Sequence, residues 1–462
     1  MSMNYDLIIV GAGPGGYEAA FEAVKYGMKT ALIEKHLVGG TCLNRGCIPT
    51  KTIMRSSEAF RIARESAEIG VTAGEVRADL DRIIKRKEEV SFTLREGILG
   101  LIRKKKIDLY TGSACVTGPN EVRIALKETQ EEDSELMLTA DRLLIATGSV
   151  PAVPPIPGRD LPGVMTSDDL LERGGEIMKE LVIIGGGVIG IEFATIYHAL
   201  GTKVTVIEAL DRLLPAMDKE LGRSLKMNFS KRGIDCHTGA RVEKIEERNG
   251  RLVCFYTEKG KTYEVPADGI LVSTGRKPAT QELFVPEIAE QVLGQRGYVE
   301  VNEHWQTAVP SIYAIGDVIG GVMLAHVATA EGRNAVAIMS GQEPAIRMDT
   351  VAGCIYTDPE IAEVGMTQDA AKEAGIRVIT KKFPMSANGK TVIEQLDRGF
   401  IKLVAREEDH VLIGAQLMCG RATDIIGELS LAVANGLTVE DVANTIHPHP
   451  TFTEAVCDAA RA

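Results

Sequence analysis

Asp6-Leu-Ile-Ile-Val-Gly11-Ala-Gly13-Pro-Gly-Gly16 can be laid over Glu180-Leu-Val-Ile-Ile-Gly185-Gly-Gly187-Val-Ile-Gly190 without a gap. The same offset of 174 residues (185 − 11) relates Gly13 to Gly187, Gly16 to Gly190, Gly27 to Gly201 and Glu34 to Glu208. Each copy reads as an apolar strand, a glycine turn, a helix and a second strand that ends in an acid, with the strands expected at 7–10 and 30–33, then at 181–184 and 204–207. The chemistry of a dinucleotide accounts for the spacing. The first glycine makes the tight turn, the second lets backbone approach a pyrophosphate, the third lets helix pack on strand, and the helix N-terminus faces the phosphates. The acid lies 18 residues past the third glycine in both copies (34 − 16 and 208 − 190), where it can accept hydrogen bonds from ribose hydroxyls. One glycine fingerprint is weak evidence, but two with matching flanks predict two dinucleotide sites.

The 462 residues exceed one ordinary core, so two to four domains are expected. A net charge of −12 argues against nonspecific binding to nucleic acid or to an anionic membrane surface, and Arg103-Lys-Lys-Lys106 reads as a solvated helix end. The chain starts straight into a strand-like run without a leader, and its longest apolar stretch is too short and too rich in glycine to span a bilayer, which predicts a cytoplasmic protein.

The proline-rich Val150-Pro-Ala-Val-Pro-Pro-Ile-Pro-Gly158 reads as a linker between the copies. Charge patterning predicts a helical excursion over 72–110, and alternation over 116–138 predicts a small antiparallel sheet. Past Gly341 the pattern changes to strands such as 399–405 and helices such as 424–435. The expected class is α/β, with two Rossmann-like dinucleotide-binding domains and a C-terminal α+β domain. The expected boundaries are 1–149 with 277–345 for one nucleotide and a central region, 150–276 for the other, and 346–462 for the last domain.

Only two of the eight cysteines are close in sequence, in Gly39-Gly-Thr41-Cys42-Leu-Asn-Arg45-Gly-Cys47-Ile-Pro-Thr-Lys51. A pair at this spacing reads as a metal knuckle, as two buried thiols or as a dithiol/disulfide couple. A metal needs two more ligands, and no second Cys or Cys/His pair supplies them. The two nucleotide sites favour the redox couple, because a dithiol beside a flavin links thiol chemistry to hydride chemistry.

This segment resembles the active-site disulfide of the pyridine nucleotide-disulfide oxidoreductases, and its wording is closest to the dihydrolipoamide dehydrogenase branch. The resemblance implies FAD on the first copy, NAD on the second, and oxidation of a protein-bound dihydrolipoyl group. Cys42 would be the interchange thiol and Cys47 the thiol that meets the flavin. Ala146-Thr147-Gly148-Ser149, Gly316-Asp317 and Met323-Leu324-Ala325-His326 resemble the family's flavin contacts, together with Thr41 and Lys51, and Gly112 and Ala114 resemble the adenine-end contacts. Glu192 matches an acid that pairs with Lys51. Val188 takes the place of an aromatic gate found in glutathione-reductase relatives, which favours the lipoamide branch. Val242, Gly275 and Arg276 resemble further nicotinamide-nucleotide contacts. Glu208 would repel a ribose phosphate and so favours NAD over NADP, with Arg212 as a counter-indication.

His449-Pro-Thr-x-x-Glu454 matches the family's acid–base dyad, with Glu454 orienting the imidazole. His447 lies outside that match and reads as structural. In the family the dyad serves the disulfide of the other subunit, so the resemblance implies a homodimer. The implied partner is a lipoyl-bearing domain, from a 2-oxo-acid dehydrogenase complex or the glycine cleavage system. Glutathione- and mercuric-reductase-like activities are the alternatives within the family, although mercuric reductases add a C-terminal cysteine pair where Cys457 stands alone. A non-catalytic FAD/NAD-binding redox sensor would leave Cys42, Cys47, Lys51, His449 and Glu454 without a use. Arg45, between the two cysteines, departs from the apolar residue that the resemblance leads one to expect in many relatives; turned inward it would stabilise a thiolate, and turned outward it is a solvated cation.

Overall fold

A computed structural model describes residues 3–126, 135–396 and 398–462. The chain divides into two compact units. One holds Met1–Thr52, Arg82–Ala152 and Arg276–Met348, and the other holds Ile53–Asp81, Val153–Gly275 and Asp349–Ala462.

In the first unit, strands Met3–Val10 and Thr30–Glu34 flank each other in parallel, with Val10 opposite Ile33. Glu135–Ile145 runs parallel to Met3–Val10 with Ile145 opposite Val10, and Ile312–Ala314 joins it with Ala314 opposite Ile145. Leu7, Ile8, Ile9, Leu32, Leu143 and Leu144 are almost wholly buried, as expected of strands covered on both faces. This register brings four strand ends, at Val10, Ile33, Ile145 and Ala314, to one edge. The first glycine turn, the Cys42–Cys47 segment, Ala146–Ser149 and Gly316–Asp317 each follow one of those ends, and the carboxyl edge of a parallel sheet is where such folds hold ligands.

Asp108–Gly118, Glu121–Leu126 and Glu135–Ile145 form the predicted antiparallel meander; of the predicted 116–138, residues 127–134 lie outside the described part. Within the predicted 72–110 excursion, the helix is Leu80–Lys104, while 72–79 form no regular element and Asp108 already opens a strand. The helix Pro14–Lys25 starts on a proline, which needs no amide partner there, and stops at Tyr26 before Gly27 turns with φ +78°. It packs closely on Ala325–Met339. A Cβ on Gly332 would lie 2.7 Å from the Gly15 carbonyl oxygen, and one on Gly15 would lie 2.9 Å from that of Ala328.

The second unit repeats the plan. Its parallel sheet has the order Asp235–Thr238, Lys203–Glu208, Glu180–Ile184, Gly269–Val272, Val164–Met165. Ile184 lies opposite both Ile207 and Val272, which again aligns strand ends along one edge. A three-stranded antiparallel sheet, Ala240–Arg248, Arg251–Glu258 and Lys261–Ala267, shares its core through Ile245, Cys254 and Tyr256. The C-terminal part is a five-stranded antiparallel sheet of Ala352–Ile355, Glu360–Gly365, Leu412–Cys419, Phe400–Arg406 and Val378–Pro384. Helices Ala422–Ala434 and Glu454–Arg461 bury Ile425, Leu429, Ala455 and Val456 in the same core. The architecture is therefore α/β with two Rossmann-like regions and a C-terminal α+β domain. Among the described residues no helix is long and apolar enough to cross a membrane.

Candidate active site

Cys42 lies in the short helix Gly40–Arg45, and Cys47 opens the helix Cys47–Glu65, with Gly46 as the break between them. Two glycines dock this loop on the first nucleotide turn. The Gly39 amide donates to the Ala12 carbonyl at 2.8 Å, and a Cβ on Gly40 would stand 2.6 Å from the Gly13 Cα. Thr41 is half-buried in the same helix, next to this contact. Asn44 completes the docking in a way the sequence reading missed. Its amide nitrogen reaches the carbonyls of Leu37, Val38 and Gly40 at 3.3, 3.1 and 3.0 Å, while its oxygen accepts from Arg95 at 2.9 Å.

The two sulfurs are hydrogen-bonded to each other as thiols. That bond, with burial, pushes the Cys42 thiol far up, while the Lys51 ammonium pulls the other way. A paired dithiol thus keeps a proton on Cys42, and Cys47 stands at the positive end of a 19-residue helix, where a thiolate is favoured. Lys51 is a cation that acts on Cys42, and Arg45 is half-buried at the end of its helix.

Around the carboxyl edge of the first sheet, Gly11 has φ +104°, and a Cβ there would lie 2.3 Å from the Ala146 carbonyl oxygen; one on Gly16 would lie 1.9 Å from the Gly11 oxygen. Neither position admits a side chain. Glu34 accepts from the Ala12 amide at 2.8 Å and the His36 amide at 2.7 Å, so it braces the turn and retains lone pairs for a ribose. Thr147 Oγ1 is buried and meets no hydrogen-bond partner among the described residues, an uncommon condition that a polar ligand would relieve. Gly148 turns with φ +71°. Ser149 Oγ donates to Asp317 at 2.5 Å and accepts from Arg276 Nε at 2.6 Å, which links two of the predicted motifs. Arg276 also holds the Ser149 carbonyl at 2.7 Å across the strand pair Ser149–Pro151 and Arg276–Pro278. Met323, Leu324 and Ala325 are half-buried and His326 is exposed, at the start of Ala325–Met339. Gly112 is required by its own sheet, since a Cβ would lie 2.4 Å from the Ala125 oxygen, and Ala114 packs on the sheet core. Glu331, unremarked in the sequence, accepts from the Gly316 amide at 2.7 Å, and burial holds its carboxyl above the ordinary range. The unpartnered Thr147 hydroxyl, the side-chain-free glycine cradle and the braced acid fit a flavin dinucleotide.

The second copy has the same stereochemistry. Gly185 has φ +113°, and a Cβ on Gly190 would lie 2.1 Å from the Gly185 oxygen. Glu208 accepts from Gly186 at 2.6 Å and Leu210 at 2.7 Å, residues at the 174-residue offset from Ala12 and His36 (186 − 12 and 210 − 36). Gly187 caps the helix Val188–Ala199 and has open space for 4 Å around the place a Cβ would take, Gly275 is equally open at φ +129°, and Val188 is exposed beside them. Val242 precedes an irregularity in its strand pairing. Arg212 is drawn aside, donating to the Pro215 carbonyl at 2.9 Å, while its Nε is buried without a partner among the described residues. These features fit a second dinucleotide. Glu192 is buried, with Oε1 accepting from the Tyr356 amide at 3.2 Å.

In the C-terminal part, His449 Nδ1 lies 2.7 Å from Glu454 Oε2. The other Glu454 oxygen accepts from the Thr451 amide and from Asn388, whose Nδ2 also holds the Thr451 carbonyl at 2.9 Å. The carboxylate is thereby fixed, and with Nδ1 turned to it the exposed ring has its Nε2 on the side away from Glu454. Asn388 is a second residue the sequence reading missed, because it lies 66 positions from Glu454 (454 − 388) in another element.

The family model of pyridine nucleotide-disulphide oxidoreductases matches residues 5–332, and that of their dimerisation domain matches 351–460. A dihydrolipoyl dehydrogenase from Geobacillus stearothermophilus is 38% identical, with 99% of this chain and 96% of that protein covered. One from Bacillus subtilis is 39% identical, with 100% and 98% covered. Among solved structures, the HOCl-induced flavoprotein disulfide reductase RclA from Escherichia coli, as its Cu(II) complex, superposes with a TM-score of 0.87 at 28% identity over 99% of each chain. Paired thiols docked on one glycine cradle, a second cradle of the same build, and these near-full-length matches lead to one conclusion: the chain belongs to the pyridine nucleotide-disulphide oxidoreductases.

Proposed function

We propose that this chain oxidises the dihydrolipoyl group of a carrier protein to its cyclic disulfide and delivers the electron pair to NAD⁺. The observation that carries the reading is the docking of the Cys42–Cys47 pair on the Gly11–Gly13 turn through Gly39 and Gly40. Thiol chemistry and a dinucleotide cradle then share one edge of one sheet. We assign the flavin to 1–149 and 277–345, the nicotinamide nucleotide to 150–276, and subunit contact to 346–462.

The chain's own residues account for the thiol steps. The partner subunit's His449, held by its carboxylate, removes a proton from one dihydrolipoyl thiol. The resulting thiolate attacks Cys42 of the oxidised pair; the Cys42–Cys47 bond breaks, and Cys47 leaves as the thiolate that the helix N-terminus favours. The second substrate thiol attacks the substrate sulfur bound to Cys42 and closes the cyclic disulfide; its proton passes to the departing Cys42 sulfur, and the first proton stays on the partner's His449 until solvent takes it. Uptake by Cys42 is favoured by its elevated proton affinity beside Cys47. Bound FAD and NAD supply the two-electron path from the dithiol to a hydride. Glu208 selects NAD over its phosphorylated form by charge, while Arg212 has one of its donors engaged by the Pro215 carbonyl. The substrate carrier is a lipoyl-bearing domain of a 2-oxo-acid dehydrogenase complex or the glycine cleavage system, and the compartment is cytoplasmic, where cysteines outside the pair stay reduced.

The test is a comparison of dihydrolipoamide with glutathione, and of NAD⁺ with NADP⁺, on flavin-loaded protein. Dihydrolipoamide with NAD⁺ is the expected pair. Flavin-loaded protein without dihydrolipoamide activity, or a Cys42→Ser form with normal turnover, overturns the reading.

A further inference from the structure

The exposed His449 sits in a segment with no regular secondary structure, between the helices Val439–Ala443 and Glu454–Arg461. On its C-terminal side the segment is held by Thr451, whose hydroxyl donates to the Pro448 carbonyl at 2.7 Å, and by the Asn388 and Glu454 bonds. On its N-terminal side Ile446 is 95% exposed and Pro448 is exposed, so neither anchors it to its own subunit. His447 is different: its side chain is only 6% exposed. Its Nδ1 donates to the Thr445 carbonyl at 3.0 Å, and its Nε2 lies 2.8 Å from Glu428 Oε1. Glu428 belongs to Ala422–Ala434, a helix whose neighbouring Ile425, Ile426 and Leu429 are buried in the C-terminal core.

We propose that His447 and Glu428 together form a positioning device for the acid–base residue, rather than His447 being a structural bystander. Bonds at both nitrogens fix the plane of the His447 ring, and the ring fixes the peptide path two residues before His449. Within its own subunit the acid–base residue is 76% exposed, so that subunit aims it through the two ends of its loop. Asn388 and Glu454 secure one end, and the His447–Glu428 pair secures the other. The inference rests on His449 acting as the base.

The experiment uses the flavin-loaded dimer with two assays. Oxidation of dihydrolipoamide by NAD⁺ needs the base, whereas transfer from NADH to ferricyanide bypasses both base and disulfide. His447→Ala is expected to lower kcat for dihydrolipoamide about 10- to 100-fold, with KM for NAD⁺ and ferricyanide turnover unchanged. Glu428→Ala should match it, and the double variant should be no worse than either, because both remove the same tie. Glu428→Gln, whose side-chain amide can still bond the ring at Nε2, should recover most of the loss. Turnover within about twofold of wild type in His447→Ala, additive losses in the double variant, or a parallel fall in ferricyanide turnover overturns the proposal. A His449→Gln control that keeps full dihydrolipoamide turnover instead overturns the parent reading of the dyad.

Discussion

Gly16 and Gly190 occupy the same place in the two copies, so a single added methyl at each tests whether the copies serve different nucleotides. A Cβ at Gly16 would lie 1.9 Å from the Gly11 carbonyl oxygen, and one at Gly190 would lie 2.1 Å from that of Gly185. Ordinary contact begins at 3.4 Å, so the turn must retreat by 1.5 Å (3.4 − 1.9) in one case and 1.3 Å (3.4 − 2.1) in the other. The displaced atoms are backbone and cannot swing away as a side chain would. The same turn leads into the helix start that faces the phosphates, so a shift of this size forfeits a hydrogen bond to a charged group. Such a bond is worth about 1.5–3 kcal/mol, or roughly 10- to 150-fold in affinity. Gly16→Ala is expected to purify with its flavin absorbance sharply reduced relative to protein. Gly190→Ala should keep its flavin spectrum while its NADH dissociation constant, from fluorescence titration, rises by that factor. The reasoning fails if Gly190→Ala sheds flavin and keeps its NADH affinity, or if Gly16→Ala retains a full complement of flavin.

Three further outcomes are expected. His449→Gln should lower dihydrolipoamide turnover by about 10²–10⁴-fold, the usual worth of a general base, with Glu454→Gln lowering it less; steady-state rates at saturating substrate decide this. Glu208→Ala should weaken NAD⁺ binding and narrow the preference over NADP⁺, because it removes the acceptor of the Gly186 and Leu210 amides as well as the charge that repels a ribose phosphate; titration with both nucleotides checks it. Burial holds the Glu363 carboxyl above its ordinary range, although the Asp218 amide pulls it down. The folded chain therefore binds that proton more tightly than the unfolded chain, and this group's contribution to stability is lost as pH rises through the folded pKa. Glu363→Gln should then gain Tm relative to wild type at about pH 8 and gain least at about pH 3, where the wild-type carboxyl is protonated almost fully in both states; thermal melts at the two pH values test the sign.

The features readable from sequence were those whose physical cause is local. A glycine turn needs glycine where φ is positive, and the acid must follow at a set distance along strand, turn and helix, so both cradles and both carboxylates could be placed by counting. The His449–Glu454 pair was readable for the same reason, since five residues separate its members (454 − 449). Asn388 and the Gly15–Gly332 helix contact were not readable, because their partners come from distant parts of the chain, and Asn44 and Glu331 were not, because their nearer partners lie at no periodic spacing. Charge patterning located the helix Leu80–Lys104 but not its ends, since the polar residues flanking it at 72–79 carry the same composition. Arg276 illustrates a different limit. Its motif suggested a nucleotide contact, but only the folded chain reveals that its guanidinium braces Ser149, and through it Asp317.

The repeat extends further than the nucleotide motif, and where it stops explains how one copy acquired chemistry. In the first copy the chain leaves Glu34 and returns across its own turn, with the Gly39 amide donating to Ala12 at 2.8 Å. In the second it leaves Glu208 and returns likewise, with the Leu214 amide donating to Gly186 at 2.9 Å. Ala12 and Gly186 are equivalent positions, so the return loop is part of the duplicated plan. Beyond that bond the two copies part. After Gly39 the loop passes so close to Gly13 that only glycine fits at residue 40, and it delivers Cys42 and Cys47 beside the first cradle. After Leu214 it runs instead to Asp218, which caps the helix Lys219–Arg232 and meets the buried Lys402 of the C-terminal sheet at 2.8 Å. The same loop therefore presents a cysteine pair in one copy and an internal docking point in the other. Placement of the reactive sulfurs follows from the glycines that bring this loop across the turn, not from the sheet, whose strand ends are arranged alike in both.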